Sequence, residues 1–431
     1  MFEQLAIDGG VPAVSISHPH YKWPPNGLAD ELDEIAKQRN LDITIKGKSG
    51  PILEFENAFK QFLDNKIKHT VSFNSGTSAL LAAYFAIGIS EGDEILGPSV
   101  TYHAALSPAY MLKANIKLVD IDINSRCIDP NKIEANITPK TKAITVVHQW
   151  GHPADMDAIM DIAKRHNLKV IEDCSHAHGS KYKGQFCGTF GDVAAFSLQA
   201  NKAIFAGEGG ILVTNNDLYH DRATLLGHYR DRSKSEVKDL DLQQYWVTGF
   251  GLKLRMSPFN AIVARHALKH FPEIEQGRHK CLQYLTKRLA EIEFIVPTFI
   301  SNDVHMGAWY GYKPLYKKEK LNNLPRHKLI EILKAEGVHI KVPSGPLLAT
   351  LPLYNTKIDK MFPERKDKQI NHPEDYPVAL QVQEEALSIP AFYNWEQHRE
   401  IIDQYIEAFK KVANYVGSST IDYKTEPVPM G

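Results

Sequence analysis

The 431-residue sequence has almost no net charge, few cysteines and no long apolar run. Its 50 basic residues balance 51 acidic ones, so no basic field predicts nucleic acid or an anionic membrane as a partner. The four cysteines have no Cys-x-x-Cys spacing, which indicates a reduced protein without a disulfide framework. No apolar run reaches the roughly 20 residues of a membrane span, and the opening MFEQLAIDGG lacks the apolar stretch of a signal peptide. We therefore expect a soluble cytoplasmic protein.

The first half of the chain alternates between segments typical of strands and segments typical of helices. The predicted strands are 70–73, 94–96, 116–119, 143–147 and 168–171, and the predicted helices are 78–87, 104–112 and 156–166. Strands separated by helices in this way indicate βαβ units and a mostly parallel sheet. Such sheets bind ligands beyond the carboxyl ends of their strands, and Asp173 and Gly76 fall at two of these ends. The prediction is an α/β fold with a site at that edge.

The pattern changes after residue 275. Helices are predicted at 279–292, 325–336 and 396–416, with a short strand at 338–342. This mixture is typical of a smaller α+β domain. We therefore predict a large domain over 1–275, which includes an N-terminal segment, and a small C-terminal domain over 276–417. Residues 418–431 have no apolar periodicity and are expected to form an arm or a frayed end.

The residue with the clearest chemical setting is Lys202. It ends the run FSLQANK at 196–202, and the glycine-dense turn GEGG follows at 207–210. A primary amine between a β-like segment and such a turn can hold a carbonyl cofactor as a Schiff base. Most lysines are solvated surface charges, so this interpretation depends on an acid and a turn elsewhere in the chain.

The turn is Gly-Thr-Ser at 76–78, which joins a predicted strand to a predicted helix. The free N–H groups and the positive dipole end of a helix N-terminus attract a phosphate, and Gly76 lets a ligand approach the backbone. The hydroxyls of Thr77 and Ser78 would add hydrogen-bond donors. A simple N-cap is the alternative, because Ser and Thr cap most helices without any ligand. Taken alone, the turn favours the cap.

The acid is Asp173, in the segment IEDCSHAHG at 171–179, at the end of a predicted strand. A buried carboxylate there needs a cation or several donors. If its partner is a pyridinium nitrogen, it keeps that nitrogen protonated and makes the ring an electron sink. The alternatives are a helix N-cap, a salt bridge, or a metal site with His176 and His178. The two histidines would point to opposite sides of an extended chain, so we predict no metal.

Two further residues are candidates for holding a ligand. Tyr102 follows a predicted strand and could stack on an aromatic cofactor, although a lone tyrosine is more often partly buried core. Arg255 precedes a predicted helix and could grip a phosphate or a carboxylate with two hydrogen bonds. A surface or interface charge is the alternative for Arg255.

Together these segments resemble the DegT/DnrJ/EryC1/StrS aminotransferases, which are pyridoxal-phosphate enzymes of fold type I that aminate keto-sugars and keto-cyclitols. The similarity depends on Gly-Thr-Ser at 76–78, EDCSHAHG at 172–179 and the pattern GDxxxFSxxxxKxxxxGEGG at 191–210. It covers about residues 5–416. The segments AIDGGVP at 6–12 and GLKLRM at 251–256 resemble the scyllo-inosose and 2-deoxy-scyllo-inosose aminotransferase branch. The resemblance implies a large, mostly parallel-sheet domain, a smaller C-terminal domain, and a homodimer with shared active sites.

Carried onto this sequence, the resemblance implies that Lys202 forms the Schiff base with pyridoxal 5'-phosphate and that Asp173 pairs with the pyridine nitrogen. His176 takes the position that contacts the phenolic oxygen of the cofactor. Lys202 then acts as the base in a ping-pong transfer from glutamine or glutamate to a ketone. The resemblance also implies that a histidine would replace Lys202 in a pyridoxamine-dependent sugar dehydratase, so the lysine favours an aminotransferase.

The resemblance implies further contacts to the cofactor. Thr77, Ser78 and Ser197 fall where its phosphate is bound, next to Gly76. Tyr102 falls where an aromatic ring stacks on the pyridine. Arg255 belongs to a segment that reaches into the active site of the neighbouring subunit.

The ketone itself is less well defined by the sequence. The branch resemblance favours a keto-cyclitol or related ketone, and a nucleotide-sugar aminotransferase of the same family is the nearest alternative. A metal-dependent hydrolase is the function that the metal interpretation would imply. His305, Trp309 and Tyr310 are candidates for lining the substrate pocket, although aromatic residues in this pattern more often pack in a core.

Overall fold

The computed structural model describes residues 3–17, 19–25, 31–356 and 369–418. Its strands, in chain order, are β1 His69–Phe73, β2 Glu94–Pro98, β3 Asn115–Val119, β4 Thr141–Val147, β5 Lys169–Asp173, β6 Ser180–Tyr182, β7 Gln185–Phe186, β8 Val193–Ser197, β9 Gly210–Thr214, β10 Ile295–Val296, β11 Val304–Met306 and β12 Leu315–Tyr316. Its α-helices are α1 Leu32–Arg39, α2 Gly50–Phe62, α3 Gly76–Ala86, α4 Pro130–Ile133, α5 Met156–Arg165, α6 Asp217–Gly227, α7 Asp231–Glu236, α8 Leu240–Gln243, α9 Pro258–Leu289, α10 Arg326–Ala335, α11 Pro352–Asn355, α12 Pro377–Glu385 and α13 Trp395–Ser418.

Seven strands form the central sheet, in the order β1-β9-β8-β5-β4-β2-β3. Within this order, the strands β8, β5, β4, β2 and β3 each pair in parallel with the next one. Strand β9 runs antiparallel to both of its neighbours, β1 and β8. Strand β1 therefore points the same way as the parallel strands. The other strands form two small sheets, β10-β12 and β11-β6-β7. The predicted α/β fold with a mostly parallel sheet is confirmed.

Helices cover both faces of this sheet because its strands carry apolar side chains on both faces. Val193 and Ala195 of β8 pack in the cluster that contains α3 and α6, whereas Ala194 and Phe196 pack with α2 and α9. Successive side chains of a strand point to opposite faces of the sheet. A strand that is apolar throughout therefore needs helices packed on both faces. This arrangement leaves the ends of the strands as the place where polar groups can collect.

A second hydrophobic core lies among α9, α10 and α13 and includes residues of β10, β11 and β12. Helix α9 runs without a break from Pro258 to Leu289 and contributes to this core and to the one beneath the sheet. The predicted domain boundary at residue 276 therefore falls inside a continuous helix. The division into domains stays a prediction. None of the described helices is both long enough and apolar enough to cross a membrane.

Several local predictions can be compared with these elements. The helices predicted at 325–336 and 396–416 are found as α10 and α13, and the one at 279–292 is the last part of α9. The helix predicted at 104–112 is wrong, because two 3₁₀ helices, His103–Ala105 and Ser107–Leu112, occupy that segment. The strand predicted at 338–342 is also wrong, since a single bridge between Lys341 and Ser388 is the pairing found there. The predicted tail beyond residue 418 lies outside the described residues.

Candidate active site

A cavity of about 620 Å³ lies at the carboxyl ends of β1, β2, β4, β5 and β8. Seven of the predicted site residues line it: Gly76, Thr77, Tyr102, Asp173, His176, Ser197 and Lys202. Because these strands point the same way, the segments that follow them meet at one edge of the sheet. Of the predicted site residues, all of which are described, Ser78 and Arg255 lie outside the lining.

Lys202 lies in the loop that connects β8 with β9. A backbone hydrogen bond from Leu198 N to Gly209 O (2.9 Å) closes this loop at its base. The lysine is only 8 % exposed, and its Nζ lies 4.2 Å from the centre of the Tyr310 ring. Burial lowers the pKa of the Lys202 amine to about 8, although the nearby Asp173 carboxylate opposes this change. A substantial fraction of the amine is therefore uncharged near neutral pH.

Asp173 is the last residue of β5 and is buried at the cavity wall. Its Oδ1 accepts a hydrogen bond from the Ser175 amide (2.9 Å). Burial raises the pKa of the Asp173 carboxyl, and the bond from Ser175 and the charge of Lys202 oppose that rise. A carboxylate in this position favours a cationic group on a bound ligand. The metal alternative with His176 and His178 is not supported, because the ligand atoms of these described residues do not cluster with those of Asp173.

His176 and Tyr310 form a stacked pair on the wall of the cavity. Their ring centres are 3.9 Å apart and their planes differ by 7°. Burial, together with the charge of Lys202, holds the pKa of His176 well below its usual range, so the ring is neutral. Of the three candidate pocket residues, Tyr310 lines the cavity. Trp309 packs in the second core and His305 stacks against a histidine of α9.

The N-terminus of α3 forms another wall of the cavity. Ser75 caps the helix by accepting the Ser78 amide (3.0 Å), and the Ser78 hydroxyl donates to Asn74 Oδ1 (2.7 Å). The N-cap is therefore Ser75 and not a residue of the Gly-Thr-Ser turn, and the predicted phosphate contact of Ser78 stays a prediction. A Cβ on Gly76 would lie 2.6 Å from Ser197 Cβ, which is too close for any larger residue without movement. Glycine thus lets the turn and the end of β8 meet beside the unsatisfied amides of the first helical turn.

Tyr102 lines the cavity, whereas Arg255 lies outside its lining. Arg255 forms an isolated bridge with Phe73 beyond the end of β1, and its Nη1 donates to the carbonyl of Ile45 (3.4 Å). Tyr102 is 59 % exposed and packs beside His103, with ring centres 4.5 Å apart. Its ring is therefore accessible for stacking at the cavity. The role of each in binding a cofactor stays a prediction.

Sequence reasoning missed a buried hydrogen-bonded pair, His148 and Glu172, next to the site. Glu172 precedes Asp173 on β5, so its side chain points to the opposite face, where His148 Nε2 lies 3.1 Å from its Oε2. Glu172 also accepts three backbone amides from residues 188–191, at 2.7–2.8 Å. These bonds hold the loop that leads into β8 and hence towards Lys202. The sequence feature that could have revealed this pair is the presence of two adjacent acids, Glu172 and Asp173, at the end of a predicted strand.

The residues around this cavity fit pyridoxal phosphate as the bound group. Lys202 offers a buried amine for an aldehyde carbon, and Asp173 offers a carboxylate for a protonated ring nitrogen. The amides at the start of α3 suit a phosphate, and Gly76 leaves the approach to them open. The set of donors and acceptors thus matches each end of that cofactor.

Comparison with known sequences supports the same conclusion. The model of the DegT/DnrJ/EryC1/StrS aminotransferase family matches residues 29–408. A GDP-perosamine synthase of Escherichia coli O157:H7 is 34 % identical over 74 % of this chain and 83 % of its own length. An L-glutamine:2-deoxy-scyllo-inosose aminotransferase of Streptoalloteichus tenebrarius is 32 % identical over 82 % of each chain.

Comparison with solved structures supports the fold. The X-ray structure of an aminotransferase from Psychrobacter cryohalolentis superposes with a TM-score of 0.79 at 26 % identity, covering 93 % of this chain and 100 % of that one. The matched family region contains the cavity and every predicted site residue. The chain therefore belongs to the DegT/DnrJ/EryC1/StrS aminotransferase family and is a pyridoxal-phosphate-dependent aminotransferase.

Proposed function

We propose that this enzyme moves an amino group from glutamine or glutamate to a keto-cyclitol or keto-sugar by a ping-pong mechanism. The single observation that carries the proposal is the buried amine of Lys202 facing a cavity that also contains Asp173 and the N-terminus of α3. The relative that aminates 2-deoxy-scyllo-inosose takes its amino group from L-glutamine, as its name states. The similarity of the chain to that relative supports the same class of donor and acceptor here.

Lys202 is proposed as the residue that binds the cofactor and moves the proton. With a pKa of about 8, about a tenth of its amine is uncharged at pH 7, far more than for an ordinary lysine. An uncharged amine can attack a carbonyl carbon or remove a proton from the α-carbon of an amino acid. Burial supplies this fraction, because it disfavours the charged form.

Asp173 and the stacked pair are proposed to hold the cofactor in position. Asp173 would keep the ring nitrogen protonated, and bound pyridoxal phosphate would then supply an electron sink for the electrons left on the donor's α-carbon. His176 Nδ1 accepts the Trp150 amide (3.4 Å), so the neutral ring can donate from Nε2 to an oxygen on the cofactor. Thr77, Ser78 and Ser197 are proposed to contact the phosphate.

The second subunit of a homodimer is proposed to complete the site. Arg255 lies outside the cavity of its own chain, which is the arrangement expected of a residue that serves a neighbouring copy. Tyr102 is exposed at the cavity and would stack on the cofactor ring. Cytoplasmic location is proposed on the sequence features alone.

Amination of a nucleotide-linked keto-sugar is the second candidate. The relative named GDP-perosamine synthase is 34 % identical to this chain, as close as the cyclitol enzymes. A pyridoxamine-dependent dehydratase is disfavoured by the lysine at position 202.

The proposal is tested by following the two half-reactions separately. The enzyme loaded with pyridoxal phosphate is mixed with glutamine or glutamate, and the visible absorption of the lysine-bound cofactor should fade. A panel of keto-cyclitols and nucleotide-linked keto-sugars is then added, and the correct ketone should restore that absorption.

Variants of two lysines provide the control. Lys202→Ala should lose the visible absorption and nearly all turnover, whereas Lys142→Ala, at an exposed position of β4, should keep both. Near-normal turnover by Lys202→Ala would contradict the assignment. Failure of every ketone in the panel to restore the absorption would contradict the proposed acceptor class.

A further inference from the structure

A second cavity, of about 730 Å³, adjoins the one that contains Lys202. The two cavities share Asn201, Tyr310 and Ser344 in their linings. The Tyr310 ring stands between them, with Lys202 Nζ 4.2 Å from its centre. A molecule that reacts beside Lys202 can therefore extend past Tyr310 into the second cavity.

The second cavity is lined by cations that have no carboxylate partner among the described residues. Four basic side chains line it, namely Arg278, Lys313, Lys334 and Lys341. No aspartate or glutamate occurs among the lining residues within the described part of the chain. The first cavity, by contrast, contains the carboxylates of Asp173 and Glu208.

Arg278 is the most deeply buried of these cations, at 2 % exposure. Its Nη1 donates to the carbonyls of Ala308 (2.6 Å) and Trp309 (3.0 Å), and its Nη2 lies 3.4 Å from the Tyr21 hydroxyl. Its Nε is buried and has no hydrogen-bond acceptor in the part of the chain that the structure describes. Neutral oxygens thus hold the guanidinium in place, but no described carboxylate neutralises it.

Lys313 is the second cation with no carboxylate partner among the residues described. Its Nζ donates to the Ser388 hydroxyl (2.5 Å) and lies over Gly311, 2.8 Å from where a Cβ would stand. Burial and the charge of Lys341 lower the pKa of the Lys313 amine to about 7. Its side chain is half-buried, and withdrawing a cation from water without a described carboxylate beside it costs stability, so its presence needs an explanation.

We infer that the second cavity is an anion subsite, in which Lys313 and Arg278 bind a carboxylate or phosphate carried by one of the enzyme's two substrates. This inference depends on the proposed function, because it assigns the ligand to the molecule whose reacting carbon lies beside Lys202. A carboxylate would come from the amino donor, and a phosphate from a phosphorylated or nucleotide-linked ketone. The subsite fixes the orientation of that substrate through charge-assisted hydrogen bonds.

A purely structural role for Lys313 is the competing explanation. Its bond to Ser388 joins the segment after β11 to the segment after α12, and a structural role would make that bond stabilising. Replacement by methionine distinguishes the two explanations, because it keeps the length of the side chain and removes the charge. A structural lysine predicts a lower melting temperature for Lys313→Met, whereas an unpaired buried cation predicts an equal or higher one.

The experiment uses the enzyme loaded with pyridoxal phosphate, as wild type, Lys313→Met and the control Lys320→Met. Lys320 is exposed, does not line the second cavity and pairs with Glu293 (3.5 Å). The apparent dissociation constant of glutamine and glutamate is taken from the fading of the visible absorption. The dissociation constants of inorganic phosphate, pyrophosphate and GDP are measured by calorimetry, which needs no turnover.

A carboxylate subsite predicts that Lys313→Met raises the dissociation constant of the donor roughly tenfold or more, with little change in the limiting rate. A phosphate subsite predicts the same loss for pyrophosphate or GDP, with the donor unchanged. Lys320→Met should change neither. If Lys313→Met does not fold, Lys313→Gln, which removes the charge and keeps a hydrogen-bond donor for Ser388, takes its place in both measurements.

The inference is overturned if Lys313→Met binds the donor and all three phosphate probes as the wild type does. It is also overturned if Lys313→Met melts at a lower temperature than Lys320→Met and its weaker binding is explained by the unfolded fraction of the protein. If the proposed function itself is wrong, the measurements give a different result. In that case the wild type itself shows no fading with either donor, while calorimetry still reports whether the cavity binds anions.

Discussion

Replacing Lys202 by methionine should stabilise the cofactor-free protein while it abolishes activity. The burial that makes the amine reactive also disfavours its charged form, which ordinarily has a pKa of 10.5 and here has one of about 8. At about 1.4 kcal/mol for each pH unit, this difference amounts to about 3 kcal/mol below pH 8. The lysine is only 8 % exposed, so solvent screens little of that cost. Methionine keeps the shape and has no charge to bury.

The sign of the effect follows from proton binding. Between pH 8 and 10.5 the unfolded chain holds a proton on Lys202 that the folded protein has lost, so the wild type becomes relatively more stable as the pH rises. Below pH 8 both states are protonated and the full cost applies. The gain from Lys202→Met is therefore expected to be about 3 kcal/mol at pH 7 and about 1 kcal/mol or less at pH 10.

Urea unfolding of the cofactor-free proteins at the two pH values measures this difference. Lys142→Met, at an exposed position of β4, is the control and should stay within about 0.5 kcal/mol of the wild type at both. A variant at position 202 that is less stable than the wild type at pH 7 would refute the reasoning. An equal gain in stability at both pH values would also refute it, because such a gain would come from packing and not from the titration of Lys202.

Three other perturbations have definite outcomes. Gly76→Ala should weaken cofactor binding about tenfold in a titration and lower the melting temperature, because its Cβ would meet β8 at 2.6 Å. Gly47→Ala, whose Cβ would have nothing within 4 Å, is the control and should change neither quantity. Asp173→Asn should slow the donor half-reaction about a hundredfold by stopped-flow absorbance, because it removes the charge facing the ring nitrogen. Anion binding in the second cavity should weaken as the pH rises above 7 in calorimetry, since the bound form needs the proton that Lys313 loses there, and Lys313→Met should remove this dependence.

The parts of the structure that could be predicted from the sequence are those determined by contiguous residues. The pattern around Lys202 placed the lysine between a strand and a glycine turn, and it lies in the loop between β8 and β9. Asp173 and Gly76 were expected at the same edge because parallel strands share a direction, and both line the cavity. Each of these inferences needed only a local pattern and the geometry of a parallel sheet.

Where the prediction failed, the outcome depended on distant partners. The segment at 338–342 alternates like a strand, but a strand needs a neighbour along its length, and only Lys341 finds one, at Ser388. The cations of the second cavity were missed for the same reason. Arg278 lies in a helix with many charged neighbours and Lys313 follows a run of aromatic residues, and neither position shows in its local sequence that the charge is buried.

Burial and two nearby lysines together keep His176, on the wall of the first cavity, neutral. Burial has the largest effect on the pKa of His176, and the charges of Lys202 and Lys313 lower it further. A neutral ring can stack on Tyr310 and still keep a nitrogen for a ligand oxygen, whereas a protonated one would add a third cation to the same wall. If the proposed cofactor bond at Lys202 and the inferred anion at Lys313 offset these two charges, the pKa of His176 should rise. We therefore expect the occupancy of the two cavities to be coupled through the pKa of His176, whose ring stacks on Tyr310.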